Sequence, residues 1–266
     1  MKKIQLHAYA KINLTLDVTG KRPNGYHDVE MIMQQISLCD EVTVSWEAGS
    51  VRRGKPGQTA EPDPTGIQIQ LTVSRPDLPA DSSNLAWKAA EEMIAEFGGP
   101  AGGNAKTAAG TEAAGGSSKA AAGTDAAGGS SKAAAGTDAA GGVLTIDIQK
   151  QIPMAAGLAG GSSNCAAVLH AINQLWELNL SVKELCRIGA RLGSDVPFCI
   201  MGQAAAEKAL QGSFADDPDA CHCALATGTG TDLKPLTGLD SFIAVSYTHL
   251  DVYKRQADCC RTMLPL

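Results

Sequence analysis

The residues best suited to chemistry lie in the run Pro153, Met154, Ala155, Ala156, Gly157, Leu158, Ala159, Gly160, Gly161, Ser162 and Ser163. Small side chains let such a loop curl closely around a ligand. The backbone N–H groups of the curl, with the unsatisfied donors and positive dipole end of a following helix, suit the phosphates of a nucleotide. Ser162 and Ser163 add hydroxyls for phosphate or magnesium. No Gly-Lys-Ser/Thr ends the run and the Rossmann glycine spacing is missing, so it is neither of those loops. A glycine-rich connection that merely packs closely is the alternative. Lys11 and Asn13, two apart in an alternating segment, share a polar strand face from which an ammonium and an amide reach one oxygen or phosphate. On the residues alone, a solvated sheet face explains them as well. Asp195, in Gly193-Ser194-Asp195-Val196-Pro197, is expected just past a helix C-terminus, the end of the dipole that does not attract a carboxylate. That placement suggests a purpose beyond a local turn. Tyr26 can stack on a planar base and His27 can bond its edge, or both simply flank a turn.

The elements that must position these groups are legible from periodicity. Ile4, Leu6, Ala8, Ala10, Ile12, Leu14, Leu16 and Val18 alternate with Gln5, His7, Tyr9, Lys11, Asn13, Thr15 and Asp17, the period of a half-buried strand. Lys21 to Gly25 supplies a turn with Pro23 and Asn24-Gly25. Strands are expected over Glu41–Trp46, Ile67–Val73 and Val143–Ile148. A helix from Asn84 carries Leu85, Ala89, Met93 and Phe97 and stops at Gly98. A second begins near Ser162, with Ala166, Leu169, Ile172 and Trp176 on one face, and Trp87 and Trp176 read as helix-face core. Ser181 to Glu184 is a capping box for a third helix ending at Gly193. Ser194–Pro197 then reads as a helix-to-strand loop and Phe198–Met201 as a strand.

Residues 98–142 differ in kind. Thr111–Gly123 recurs almost unchanged as Thr124–Gly136 and starts a third time at Thr137, with no large apolar residue. Such a repeat cannot bury a core, so it reads as a flexible surface insertion without chemistry.

Composition narrows the function classes. A formal charge of −6 over 266 residues, with no basic run, argues against nucleic acid or an anionic membrane as partner. No segment approaches the roughly 18 apolar residues of a membrane span. Met1–Leu6 runs straight into the alternation without a signal-peptide block, so a cytoplasmic protein with reduced thiols is expected. Cys221-His222-Cys223 matches no zinc spacing, and no metal site is expected from side chains alone.

Taken together, four ordered segments give a resemblance. The loop 153–163 resembles the phosphate-binding motif of the GHMP kinase superfamily, with Ala155-Ala156 where many members carry glycines. Ala10-Lys11-Ile12-Asn13-Leu14 is similar to the N-terminal motif of the branch acting on a cytidine-diphosphate methylerythritol, Gly25-Tyr26-His27 to its substrate-binding turn, and Gly193 to Phe198 to its catalytic Asp segment. The resemblance implies an α+β two-layer N-terminal domain of the ribosomal-protein-S5-domain-2-like kind over residues 1–245, with the 98–142 insertion. It implies ATP and Mg²⁺ as cofactors, Lys11 and Asp195 as catalytic residues, and residues 153–163 as the nucleotide site. Asn13, Tyr26 and His27 are implied as substrate-binding, with Tyr26 and His27 reading cytosine. The implied reaction is phosphorylation of the 2-hydroxyl of 4-(cytidine 5'-diphospho)-2-C-methyl-D-erythritol, a step toward isoprenoid precursors, by a small-molecule enzyme that is a monomer or homodimer. Another superfamily member, of the homoserine or mevalonate type, and a nucleotide-binding fragment without turnover are the rival readings. Gly228 to Leu236 resembles a further family segment, preceded by unfamiliar residues from Gln203 to Cys223, and Phe242–Val245 a following strand. From Val245 to Gln256 the chain resembles translated adapter sequence, so 246–266 reads as a non-native tail and the family's ferredoxin-like second domain is expected to be largely missing.

Overall fold

The alternation at the N-terminus becomes a long strand, β1 (Lys2–Lys21), which pairs antiparallel with an even longer one, β2 (His27–Ala48). The structure is a computed structural model and describes residues 1–21, 25, 27–49, 66–100 and 141–237. Tyr26, most of the repeat, the strand expected at 242–245 and the tail at 246–266 lie outside the described residues.

β2 is the spine of the sheet. One of its edges pairs antiparallel with β1 along nearly its whole length. Its other edge is shared: Glu41–Ala48 pairs with β4 (Gly142–Gln149), and Met31–Gln34 pairs with β5 (Cys223–Thr227). β3 (Ile67–Val73) adds parallel to β4, and β6 (Asp232–Pro235) closes a hairpin with β5. The sheet is therefore mixed, with six described strands.

Helices cover one face. α1 (Leu85–Phe97) is capped by the Asn84 side chain on the Ala86 N–H and stopped by Gly98 in the left-handed region. α2 (Gly160–Leu175) is buried on almost every side from Ser163 onward, and so is the central helix of the layer. α3 (Val182–Leu192) begins with the Ser181–Glu184 capping box. The main core cluster lies between sheet and helices, where Trp46 of the sheet meets Trp176 edge-on at 5.7 Å, and a smaller one gathers Met31, Met33, Phe198, Ala224 and Ala226. Trp87 differs from expectation: it is half-buried, and its indole N–H donates to Glu91 across one turn. Among the described residues, no helix is long and apolar enough to cross a membrane.

Two expectations are corrected. Phe198–Met201 is not a strand but part of α4 (Val196–Ala206), and of the expected loop Ser194–Pro197 only Ser194 and Asp195 lie between the two helices. Every residue from Val196 to Ala204 is buried, so this short apolar run carries no period that would separate helix from strand. Pro197 in its first turn suits a helix start, where the missing N–H costs nothing. The residues from Gln203 to Cys223 complete α4 and form a short turn, α5 (Gln211–Phe214), before β5. The second correction is to the strand alternation. β1 meets register shifts between Tyr9 and Lys11, Asn13 and Thr15, and Val18 and Gly20. Beyond Ile12 the apolar residues leave the core, with Leu16 and Val18 53% and 63% exposed.

Candidate functional site

The first register shift builds the site. Tyr9 pairs with Cys39 and Lys11 with Gln35, so Ala10 alone faces three residues of β2. A bulge re-aims side chains. Ala10, Lys11 and Ile12 are consecutively buried, and Lys11 is not on a solvated sheet face but 5% exposed. Its ammonium lies 3.1 Å from Asn13 Oδ1 and 3.4 Å from Asp195 Oδ2. The carboxylate is 30% exposed, so the pair is dry on the lysine side and open on the aspartate side.

Asp195 reaches this place because α4 is a helix. It occupies the N-cap position of α4 but makes no side-chain cap bond, which leaves its oxygens free for Lys11 and for a ligand. Asp195 does lie just past the C-terminus of α3, as the sequence suggests, but a second helix begins directly after it. It flanks the positive end of α4, where a carboxylate is stabilised.

The glycine-rich run lies beside Lys11. The Lys11 N–H donates to the Leu158 carbonyl at 3.1 Å, tying the loop to the bulge. Pro153 to Gly157 are exposed and Leu158 to Gly160 half-buried. Ala155, Gly157 and Ala159 have φ of 54°, 71° and 57°, whereas the residues between them do not have positive φ. Alternation of this kind turns successive N–H groups toward one concave side, the backbone arrangement that binds anions. Among the described residues, none of the N–H groups from Met154 to Ser162 has a protein partner. Those of Gly160 to Ser162 are also the orphan donors of the first turn of α2. The donor set therefore fits a polyphosphate.

The two serines part company. Ser162 is half-buried at the start of α2, whereas Ser163 is fully buried and its hydroxyl donates to the Tyr9 carbonyl at 2.6 Å, with Cys199 Sγ at 3.4 Å. Only the Ser162 hydroxyl is placed to meet a ligand. Burial pushes the Cys199 thiol up to about 12, so it forms an inert floor. Gln203 of α4 donates to the Ser163 carbonyl and joins α4 to the start of α2.

His27 is exposed at the start of β2, opposite Lys21 at the far end of the same ribbon. No described contact joins it to Lys11 or Asp195, while Tyr26 lies outside the described residues. His222 is occupied by Gln35 at 2.7 Å. Sequence reasoning missed Asp40, Lys150 and Asn164, a buried polar group behind the loop. The only signals were a lysine, Lys150, shortly before the loop and an aspartate, Asp40, at the edge of an expected strand.

Comparison with known proteins agrees with this geometry. The chain is 34% identical over 261 residues to the 4-diphosphocytidyl-2-C-methyl-D-erythritol kinase of Alkaliphilus metalliredigens, covering 96% of this chain and 63% of that protein. Against the protein of the same name from Nostoc punctiforme it is 35% identical, covering 95% of this chain and 57% of the other. The chain thus spans less than two thirds of the length of these curated relatives. A crystal structure of 4-(cytidine 5'-diphospho)-2C-methyl-D-erythritol kinase superposes with a TM-score of 0.50 at 25% identity, over 88% of this chain and 55% of that one. Residues 84–203, which carry the loop, α2 and Asp195, match the family of GHMP kinases N terminal domains. Over residues 84–203, then, the chain carries a GHMP kinases N terminal domain, set within the two-layer fold described above.

Proposed function

We propose that the chain supplies the phosphate-binding loop and the catalytic pair of a kinase that uses ATP to phosphorylate the 2-hydroxyl of 4-(cytidine 5'-diphospho)-2-C-methyl-D-erythritol, in the cytoplasm, toward isoprenoid precursors. The observation that carries the reading is the Lys11–Asp195 pair at 3.4 Å, set beside a loop of unpartnered N–H groups. The names and similarity of the relatives support the choice of acceptor.

Phosphoryl transfer asks a protein for positioning and charge neutralisation more than for covalent chemistry. The loop 153–162 holds the nucleotide phosphates on backbone donors. The Asp195 carboxylate, open to the ligand side, takes the proton of the acceptor hydroxyl as that oxygen bonds to the γ-phosphorus and ADP departs. Lys11 neutralises the alkoxide and the transferred group from its dry position, where its charge is little screened. Asn13 fixes the ammonium. Magnesium bound with the nucleotide would neutralise the phosphates further, and the Ser162 hydroxyl would be available to hold it. Tyr26 and His27 read the cytosine, by stacking and by hydrogen bonds to its edge.

The test joins residues 1–237 to the remaining part of the Alkaliphilus metalliredigens relative and follows phosphate transfer from labelled ATP. ATP-dependent phosphorylation of the cytidine substrate, with the uridine version at least about tenfold poorer in kcat/KM, is the expected result. Equal use of homoserine or mevalonate would replace the acceptor. Nucleotide binding without transfer, in a folded chimera, would reduce the reading to a binding module.

A further inference from the structure

We propose that Asp40, Lys150 and Asn164 are positioning residues that set the shape of the phosphate-binding loop from behind, an inference that rests on the reading of residues 153–162 as a nucleotide site. Asp40 sits in the middle of β2 opposite Ala8 and is completely buried. Both its oxygens are engaged. Oδ1 accepts from the backbone N–H groups of Gln151 at 2.6 Å and Ile152 at 2.8 Å. Oδ2 accepts from Lys150 Nζ and from Asn164 Nδ2, the latter at 2.8 Å. Lys150 Nζ also donates to Asn164 Oδ1 at 3.0 Å, closing a ring of three side chains.

The placement matters more than the bonds. Gln151 and Ile152 immediately precede Pro153, where the loop opens, and Asn164 follows Ser163, where it ends. One buried anion therefore ties the entry and the exit of the loop to the sheet. Between those ends, the Lys11 N–H on Leu158 is the only described backbone hydrogen bond from another element. A loop with left-handed Ala155 and Ala159 persists in that shape only if its surroundings over-determine it. The ring is also in close contact with the loop's end, since a Cβ on Gly160 would stand 3.2 Å from Lys150 Nζ and 3.0 Å from Ile152 Cγ2.

A buried ion pair is a poor source of net stability compared with apolar side chains of the same size, and is better suited to specifying one arrangement. Lys150 and Asp40 are 5% and 0% exposed, and their charged atoms are engaged with each other, with Asn164 and with the backbone at the loop's entry. Their effect on phosphates is exerted through the loop.

The experiment uses the 266-residue chain, with a fluorescent ATP analogue and magnesium for affinity, and amide exchange for the loop. Asn164→Ala removes one arm of the ring, and Asp40→Asn sets an amide N–H₂ against the Lys150 ammonium. Each is expected to weaken nucleotide binding by about tenfold or more and to speed exchange at Met154–Ser162 while α3 exchanges as before. The double variant Asp40→Asn/Asn164→Asp returns a carboxylate to Lys150 and is expected to recover most of the affinity. If Asp40→Asn does not fold, Asn164→Ala and the double variant decide. Wild-type binding, with unchanged affinity and unchanged loop exchange in Asn164→Ala, would overturn the positioning role. Exchange that rises equally throughout the chain would also overturn it, by showing a general structural role. A wild-type chain that binds no nucleotide would sink the reading of the loop instead, and the exchange pattern would still judge the ring.

Discussion

Lys11 and Asp195 give the sharpest test, because the same pair should affect stability and turnover to different degrees. At 3.4 Å, and with the effective dielectric of about 20 that suits partly buried pairs, their attraction is about 5 kcal/mol before desolvation. The lysine has lost nearly all its water, being 6% exposed, while the carboxylate keeps about a third of its surface. Desolvating the ammonium therefore cancels most of the gain. Lys11→Met, which keeps the stem and drops the charge, should leave stability within about 1 kcal/mol of wild type. Asp195→Asn leaves the ammonium buried with only the neutral Asn13 oxygen beside it. That variant should lose about 1 to 3 kcal/mol, below the 3 to 5 typical of a fully buried broken pair because Asp195 is partly solvated. The double variant should be more stable than Asp195→Asn alone, a coupling of at least about 1 kcal/mol in a double-mutant cycle followed by urea denaturation. Turnover, in the chimera used above, should instead fall in every variant, by about 10²- to 10⁴-fold for Asp195→Asn. Zero coupling would mean that the pair does not form. Near-wild-type turnover in Asp195→Asn would remove it as the base, whatever the stabilities show.

Three further outcomes follow from particular contacts. Gly189→Ala puts a Cβ 2.7 Å from Ile200 Cδ1 and 2.8 Å from Val196 Cγ1, prising α3 from α4 beside Asp195, and should cost about 1 to 3 kcal/mol in chemical denaturation. In the loop, Ala155→Gly should stabilise by about 0.5 to 1 kcal/mol because φ is 54° there, whereas Ala156→Gly, where φ is not positive, should destabilise by a similar amount; equal effects would refute the alternating backbone. Burial of His170 lowers its pKa from 6.5 to about 4, against the opposing bond to the Ile200 carbonyl. The unfolded chain binds this proton below about pH 6.5 and the folded chain only near 4, so stability is lost as pH falls through that window, by about 2 kcal/mol at pH 5. His170→Gln, which can still donate to Ile200, should shrink the acid loss seen in thermal melts by that amount, and an unchanged pH slope would count against it.

Much of this protein is written locally. The alternation of Ile4 to Ile12, the Asn84 and Gly98 ends of α1, and the Ser181–Glu184 box each rest on neighbours within a turn or two, and local chemistry decides such features. The loop 153–163 was legible for the same reason, since small residues between a strand and a helix leave a backbone free to curl. Three things were settled only by the tertiary structure. Val196–Met201 became helix because burial on all sides erased any period, and that put Asp195, just past the end of α3, at the start of a second helix as well. Lys11 left the solvated face because a bulge set Ala10 against three residues of β2, an irregularity of pairing that no single strand announces. Asp40, Lys150 and Asn164 met across large sequence separations, because the cost of burying an ionic group is offset only when sheet and helix close around it together. Residue types thus determined which chemistry was on offer, and the packing of β1, β2, α2 and α4 decided which of those groups face one another.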